Sequence, residues 1–183
     1  MIVLLLTIIG VIILAIIYLL IISDKLQTFS KESSQELQDI VTSLQARYRI
    51  LFAIKRVAMN YAPNQLEVFD DLRPLGGAVT FEEAVGAASQ QALAIDRIIA
   101  IQSVYHKINS DSEYNDLFNK LQELNKEYTM YKQTYNYNLT KRNSYIETFP
   151  YNIVASMMNF KPIPVFTENI QIDKELIEVS EDD

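Results

Sequence analysis

From Met1 to Ser23 the chain carries no charged side chain, and from Ile2 to Ile22 nearly every position is Ile, Leu or Val, interrupted only by Thr7, Gly10, Ala15 and Tyr18. About 20 such residues in a helix cross the ~30 Å hydrocarbon core of a bilayer, with every backbone polar group satisfied internally. A cleaved signal peptide would call for a basic n-region, a shorter apolar stretch and small residues before the cut. Here bulky Leu20, Ile21 and Ile22 precede Ser23, so residues 1–23 are read as a retained transmembrane anchor. Lys25 and Lys31, with Arg47 and Arg49 further out, flank only its C-terminal side. The excess of basic residues there places the following domain in the cytoplasm and the N-terminus outside.

Beyond the anchor, apolar positions recur at three- and four-residue steps (Leu26, Phe29, Leu37, Ile40, Val41, Leu44, Tyr48, Leu51, Ile54, Ala58), with no Pro or Gly between Val11 and Tyr61. This spacing predicts one long amphipathic helix continuing from the membrane. Ser30, Ser33, Ser34, Gln35 and Gln38 make its beginning polar, so residues 24–36 are expected to form a solvated helical stalk. Pro63 disfavours helical geometry at the residue before it, so the helix should stop near Asn60, and a short helix could restart at the proline itself. Arg73-Pro74-Leu75-Gly76-Gly77 reads as a connection; a phosphate-cradling loop would need more glycines, a Lys and an adjoining strand.

Thr80 followed three residues later by Glu83 forms a capping box for a second helix, with a stripe of Phe81, Val85, Ala88, Ala92, Ile95, Ile98, Ile99 and Tyr105. After the polar Asn109-Ser110-Asp111-Ser112, a third long helix is marked by Tyr114, Leu117, Leu121, Leu124, Tyr128, Tyr131, Tyr135 and Leu139, ending near Thr148. Phe149-Pro150 breaks it, Tyr151 to Asn159 can form a short helix, and the alternate prolines of Lys161-Pro162-Ile163-Pro164 impose extended backbone. No segment alternates with period two. The predicted fold is all-α: an N-terminal transmembrane helix continuing into an antiparallel bundle of long helices over residues 37–166. Residues 167–183 are read as a disordered or loosely docked acidic tail.

Charge and composition narrow the function classes. The formal net charge is −7, from 16 Lys+Arg and 23 Asp+Glu, and seven of the acids lie between Glu168 and Asp183. A nearly neutral body with an acidic tail is not a phosphate-neutralising surface, so no nucleic-acid partner is expected. The absence of cysteine removes disulfides, thiol nucleophiles and Cys-ligated metals, and the single histidine, His106, has no neighbouring ligand pair. No Glu-x-x-His repeat suggests a di-iron bundle. Asp70-Asp71, Glu82-Glu83 and Glu123 with Glu127 read as solvated or helix-end charges rather than acid–base pairs. No cofactor and no metal are therefore expected, and the chain is not expected to be an enzyme.

The C-terminal third carries a combined motif: Tyr135-Asn136, Leu139, Asn143, then Phe149-Pro150-Tyr151-Asn152-Ile153-Val154-Ala155, then Asn159-Phe160-Lys161-Pro162, and Phe166. With the short N-terminal anchor and Tyr61-Ala62, it resembles the LemA family of bacterial membrane proteins. The layout agrees over almost the whole chain, while Arg142-Asn143, Asn125, Lys132 and Tyr105-His106 depart from the family's pattern, as in a divergent member. The resemblance implies a fold and a bacterial inner-membrane location, or a membrane derived from it, without an established reaction.

The motif residues Tyr135, Asn136, Asn143, Phe149, Pro150, Asn152, Ala155, Phe160, Pro162 and Phe166 are read as structural. Tyr rings are to be buried, with Asn side chains fixing helix register, Phe149 plugging the bundle end, Pro150 starting the last helix and Asn152 bonding the broken backbone. Met157, Met158, Phe160 and Phe166 could pack on the bundle or on a partner, with the bundle preferred. The expected function is a single-pass membrane-anchored bundle that binds or organises proteins at the membrane, or associates with itself. The alternatives are an architectural protein of a specialised internal membrane and a membrane-tethered enzyme with an unrecognised site.

Overall fold

A computed structural model describes residues 1–168. The elements, in order, are α1 (Ile2–Ala58), 3₁₀ turns at Pro63–Gln65 and Glu67–Phe69, α2 (Phe81–Val104), a 3₁₀ turn at His106–Ser110, α3 (Ser112–Glu147) and α4 (Tyr151–Met157). The described residues contain no strand. α1 is one unbroken helix, and its N-terminal part is long and apolar enough to cross a membrane, with a mean hydropathy of 3.3 over its most apolar stretch. The helix expected after Pro63 is instead two single 3₁₀ turns. Three-residue segments suit a stretch that must reverse direction while burying Leu66 and Phe69.

The described residues divide into two compact units. The first comprises Met1–Glu36 and Thr134–Val165. α1 and α3 run antiparallel in it, since Phe29 stacks on Tyr145 at 5.2 Å while Glu36, further along α1, meets Asn138, earlier in α3. Ile22, Leu26, Ile146, Val154 and Ala155 form its core, with Tyr151 and Phe160 packed against it. Residues 24–36 thus have the expected polar face but are not a solvated stalk: Leu26 and Ser33 are buried, and the Ser33 hydroxyl donates to the Phe29 carbonyl at 2.8 Å. The partners that cover this stretch lie more than 100 residues away in the chain, beyond what local periodicity reports.

The second unit comprises Leu37–Gln133 with the described residues from Phe166. Its core draws on α1 (Leu51, Ile54, Val57, Ala58), α2 (Ala94, Ile98, Ile101), α3 (Tyr114, Leu121) and the 3₁₀ region, where Ala62, Leu66, Phe69 and Leu72 are buried. α1 and α3 are antiparallel here too, with Arg47 against Tyr128 and Arg56 facing Glu113 at 3.7 Å. The capping box of α2 is complete: the Glu83 N–H donates to Thr80 Oγ1 at 3.2 Å, and the Thr80 N–H to Glu83 Oε2 at 2.8 Å. The buried face of α2 runs through Ala84, Ala87, Ala88, Gln91, Ala94, Arg97, Ile98 and Ile101, leaving Ile99 half exposed. It is rotated from the stripe expected from apolar residues alone, because Gln91 reaches α1 and donates to the Leu44 carbonyl at 2.9 Å.

Tyr61-Ala62 has a local role in this unit. Ala62 is buried, and the Tyr61 hydroxyl donates to Asp111 Oδ2 at 2.8 Å. Asp111 also accepts the Tyr114 N–H at 3.0 Å, which caps the start of α3. These hydrogen bonds, led by that from Tyr114, hold the Asp111 carboxyl below its ordinary range, and the same contact with Asp111 raises the Tyr61 hydroxyl.

Candidate functional site

Positions 40, 44, 47, 51, 54 and 58 of α1 form a stripe at three- and four-residue steps, and all but one are Ile, Leu or Ala. The exception is Arg47, only 1% exposed. Its guanidinium lies 4.3 Å from the centre of the Tyr128 ring on α3, a cation–π contact in a desolvated setting. Lys132, one turn further along α3, also approaches that ring, at 5.5 Å. Glu168 closes the group: it accepts the Tyr128 hydroxyl, and Lys132 Nζ donates to both its oxygens at 2.9 and 2.7 Å. Two residues earlier, Phe166 is buried and meets the edge of Phe81 at 5.7 Å.

The electrostatics follow from burial. Desolvation lowers the Arg47 pKa, partly offset by Tyr128 and Glu168. Burial raises the Tyr128 hydroxyl, and its bond to Glu168 raises it further. Burial would also raise Glu168, but hydrogen bonds from Lys132 and Tyr128 outweigh it and leave the carboxyl below its ordinary value. The group thus sets the Arg47 and Lys132 side chains and the Tyr128 phenol around one carboxyl, that of Glu168. It contains no activated nucleophile; its evident action is to hold residues 166–168 onto the second unit.

A comparable arrangement in the first unit uses the family-motif residues. Asn143 makes a two-point contact with Ile163: its Nδ2 donates to the Ile163 carbonyl at 2.8 Å and its Oδ1 accepts the Ile163 N–H at 3.2 Å. Pro162 and Pro164 have no N–H, so Ile163 carries the only backbone donor among those three residues, and Asn143 satisfies it. Arg142, buried beside it, donates to the Lys161 carbonyl and to Asn143 Oδ1, both at 3.1 Å, and lies 5.8 Å from the Phe160 ring centre. Desolvation lowers Arg142, opposed by Tyr135. Arg142-Asn143, a departure from the family's Tyr-Asn repeat, thus clamps the extended exit from α4.

The remaining motif residues are placed as follows. Tyr135 is buried, and burial is the main cause of its raised pKa. Asn136 is half-buried, and its carbonyl accepts the Thr140 hydroxyl at 2.8 Å. Asn138, next in the same run, donates to Glu36 and sets the register of α1 against α3. Ala155 and Phe166 are buried, Phe160 is half-buried, and Pro162 is exposed. Pro150 precedes α4. Phe149 is not the expected plug: it is 75% exposed, because the chain reversal at Pro150 turns the ring outward and leaves Val154 and Ala155 to fill the core. The Asn152 side chain is exposed; its backbone N–H donates to the Thr148 carbonyl at 3.0 Å.

The grouping of Arg47, Tyr128, Lys132 and Glu168 was not read from the sequence, where Tyr128 stood in the apolar stripe of the third helix, Arg47 among the basic residues beyond the anchor, Lys132 as a departure from the family's pattern and Glu168 in the acidic tail. The available signal was the lone Arg on an otherwise apolar three–four stripe. Glu168, assigned to the acidic tail, is docked; the expectations for residues 169–183 lie outside the described residues. Elsewhere, the Arg73–Val79 connection and α2 line an open pocket of about 330 Å³ that includes Gly76, Glu83, Gly86 and Gln90. Among the described residues no three His, Cys, Asp or Glu side chains converge, and His106 is exposed.

The sequence profile of the LemA family matches residues 32–180. No curated protein matches the chain.

Proposed function

The chain belongs to the LemA family, and from that premise we propose that it is a single-pass membrane protein whose cytoplasmic helical domain binds or organises other proteins at the membrane without catalysing a reaction. The observation that carries this reading is the continuity of α1, which supplies both the apolar span and core residues of both units without a break. A chain so built ties its helical part to the span through α1 with no break between them, which suits recruitment of partners at the same membrane. The buried charged groups found in it fasten chain segments and present no group poised for chemistry, which favours binding over catalysis. Lys25 and Lys31 beyond the span support the cytoplasmic orientation.

The lack of native cysteine gives a clean test. Ile2→Cys and, separately, exposed Ser110→Cys are treated in intact cells with a membrane-impermeant maleimide. Labelling at position 2 alone, with position 110 reacting only after lysis, is expected. Labelling at position 110 in intact cells moves the domain to the outer face. Photo-crosslinkers at exposed positions of α2 and α3 should then give discrete protein adducts in native membranes; their absence at every position counts against the recruiting role.

A further inference from the structure

We infer that α4 and the turn before it form a second membrane contact, an apolar stripe seated in the interfacial layer of the same bilayer that the N-terminal span crosses. The inference rests on the transmembrane reading of residues 1–23. Thr148 to Phe160 contains no charged side chain, with Glu147 and Lys161 at its ends. Ile153 and Met157 stand four residues apart in α4 and so on one side, 49% and 78% exposed, and Phe149 in the turn before it is 75% exposed. The opposite side is Val154 and Ala155, buried in the core of the first unit. A short segment with one apolar face packed and a second apolar face bare is unusual on a surface bathed by water.

Its position supplies the occupant. Val154 and Ala155 share their cluster with Ile22 and Leu26, and the Ser23 hydroxyl lies 3.3 Å from Met158 Sδ. Ile22 and Ser23 are the last residues of the uncharged run, and Asp24 and Lys25 are the first charges, so this turn of α1 marks the edge of the hydrocarbon. α4 is packed at that depth. Lys25 Nζ lies 4.7 Å from the Tyr145 ring centre and 5.9 Å from that of Tyr151, a grouping of Lys and Tyr suited to the headgroup level. An apolar stripe at this level meets lipid without further movement of the chain.

The test uses the full-length chain in phosphatidylcholine–phosphatidylglycerol vesicles, with single-cysteine variants Ile153→Cys and Met157→Cys carrying an environment-sensitive fluorophore. Ile12→Cys in the span and Thr140→Cys, exposed on α3, are references. The expected result is blue-shifted emission at 153 and 157, quenched by spin-labelled lipid as at 12, while 140 is quenched only by aqueous iodide. If 12 is quenched by lipid but 153 and 157 respond to iodide as 140 does, the interfacial contact is overturned and the span stands. Protection of 153 and 157 from both quenchers overturns it in favour of a protein cover, such as a second copy. Absence of lipid quenching at 12 removes the span and the contact together.

Discussion

A guanidinium where helical spacing calls for a leucine is desolvated, and at Arg47 the Tyr128 ring and nearby Glu168 offset only part of that cost. Removing its bulk should cost more than removing its charge. Arg47→Ala leaves a cavity beneath Tyr128 and is expected to destabilise the domain by about 2–4 kcal/mol. Arg47→Met keeps most of the volume and should stay within about 1.5 kcal/mol of the parent; urea unfolding of the two variants decides the order. Glu168 makes a pH-dependent contribution whose sign follows from its lowered pKa. It is complete above the ordinary carboxyl value of 4.5 and is lost as pH falls through the lower value in the folded chain. Glu168→Gln should therefore melt below the parent at neutral pH, by about 1–2 kcal/mol for a half-buried pair. The difference should shrink on acidification below 4.5; a gap that stays constant into acid would remove the carboxylate from the explanation.

At the scale of elements, the extended segment after α4 has both backbone polar groups of Ile163 held by one side chain, that of Asn143. Asn143→Asp keeps an acceptor for the Ile163 N–H but loses the donor to its carbonyl, whereas Asn143→Ala loses both. Hydrogen exchange at Ile163 should accelerate strongly in the Ala variant and much less in the Asp variant, and stability should fall by about 1–3 kcal/mol for Ala. α2 depends on small side chains: Ala84, Ala88 and Ala94 are almost fully buried. Ala88→Leu is expected to overpack this face and cost about 1–3 kcal/mol, while the same change at the less buried Ala92 should cost less; thermal melts compare them. These elements also show what the sequence carried. The capping box at Thr80, the stop before Pro63, the limits of α3 and the break at Pro150 are local, set by residues within a few positions of one another, and were legible. The rotation of α2 toward Gln91, the outward Phe149, the packing of residues 24–36 and the docking of Glu168 depend on groups far along the chain. Of the candidate site, the Arg142-Asn143 pair was visible as a motif, but its target, the Ile163 backbone, was not.

Taken whole, the molecule builds its first unit from both sides of a long sequence gap: Met1–Glu36 on one side and Thr134–Val165 on the other. The boundary between what the bilayer holds and what the protein core holds should therefore fall near Ile22, not at the end of the polar stretch. Residues 2–9 and 11–21 are exposed all round, whereas Ile22 and Leu26 are buried against Ile146, Val154 and Ala155. Removing residues 1–20 takes away exposed apolar surface and leaves this core intact. Removing residues 1–36 takes away Ile22 and Leu26 together, about 3–6 kcal/mol of apolar burial at about 1.5–3 kcal/mol per side chain, and strips the Phe29–Tyr145 stack as well. The shorter deletion is expected to yield a soluble protein with the near-ultraviolet circular dichroism of ordered tyrosines and slow hydrogen exchange in α4. The longer one should lose both signals from the first unit while amides of α2 in the second unit remain protected. Equal protection of α4 in the two deletions would mean that the turn around Ile22 and Leu26 contributes nothing to the fold and belongs to the membrane alone.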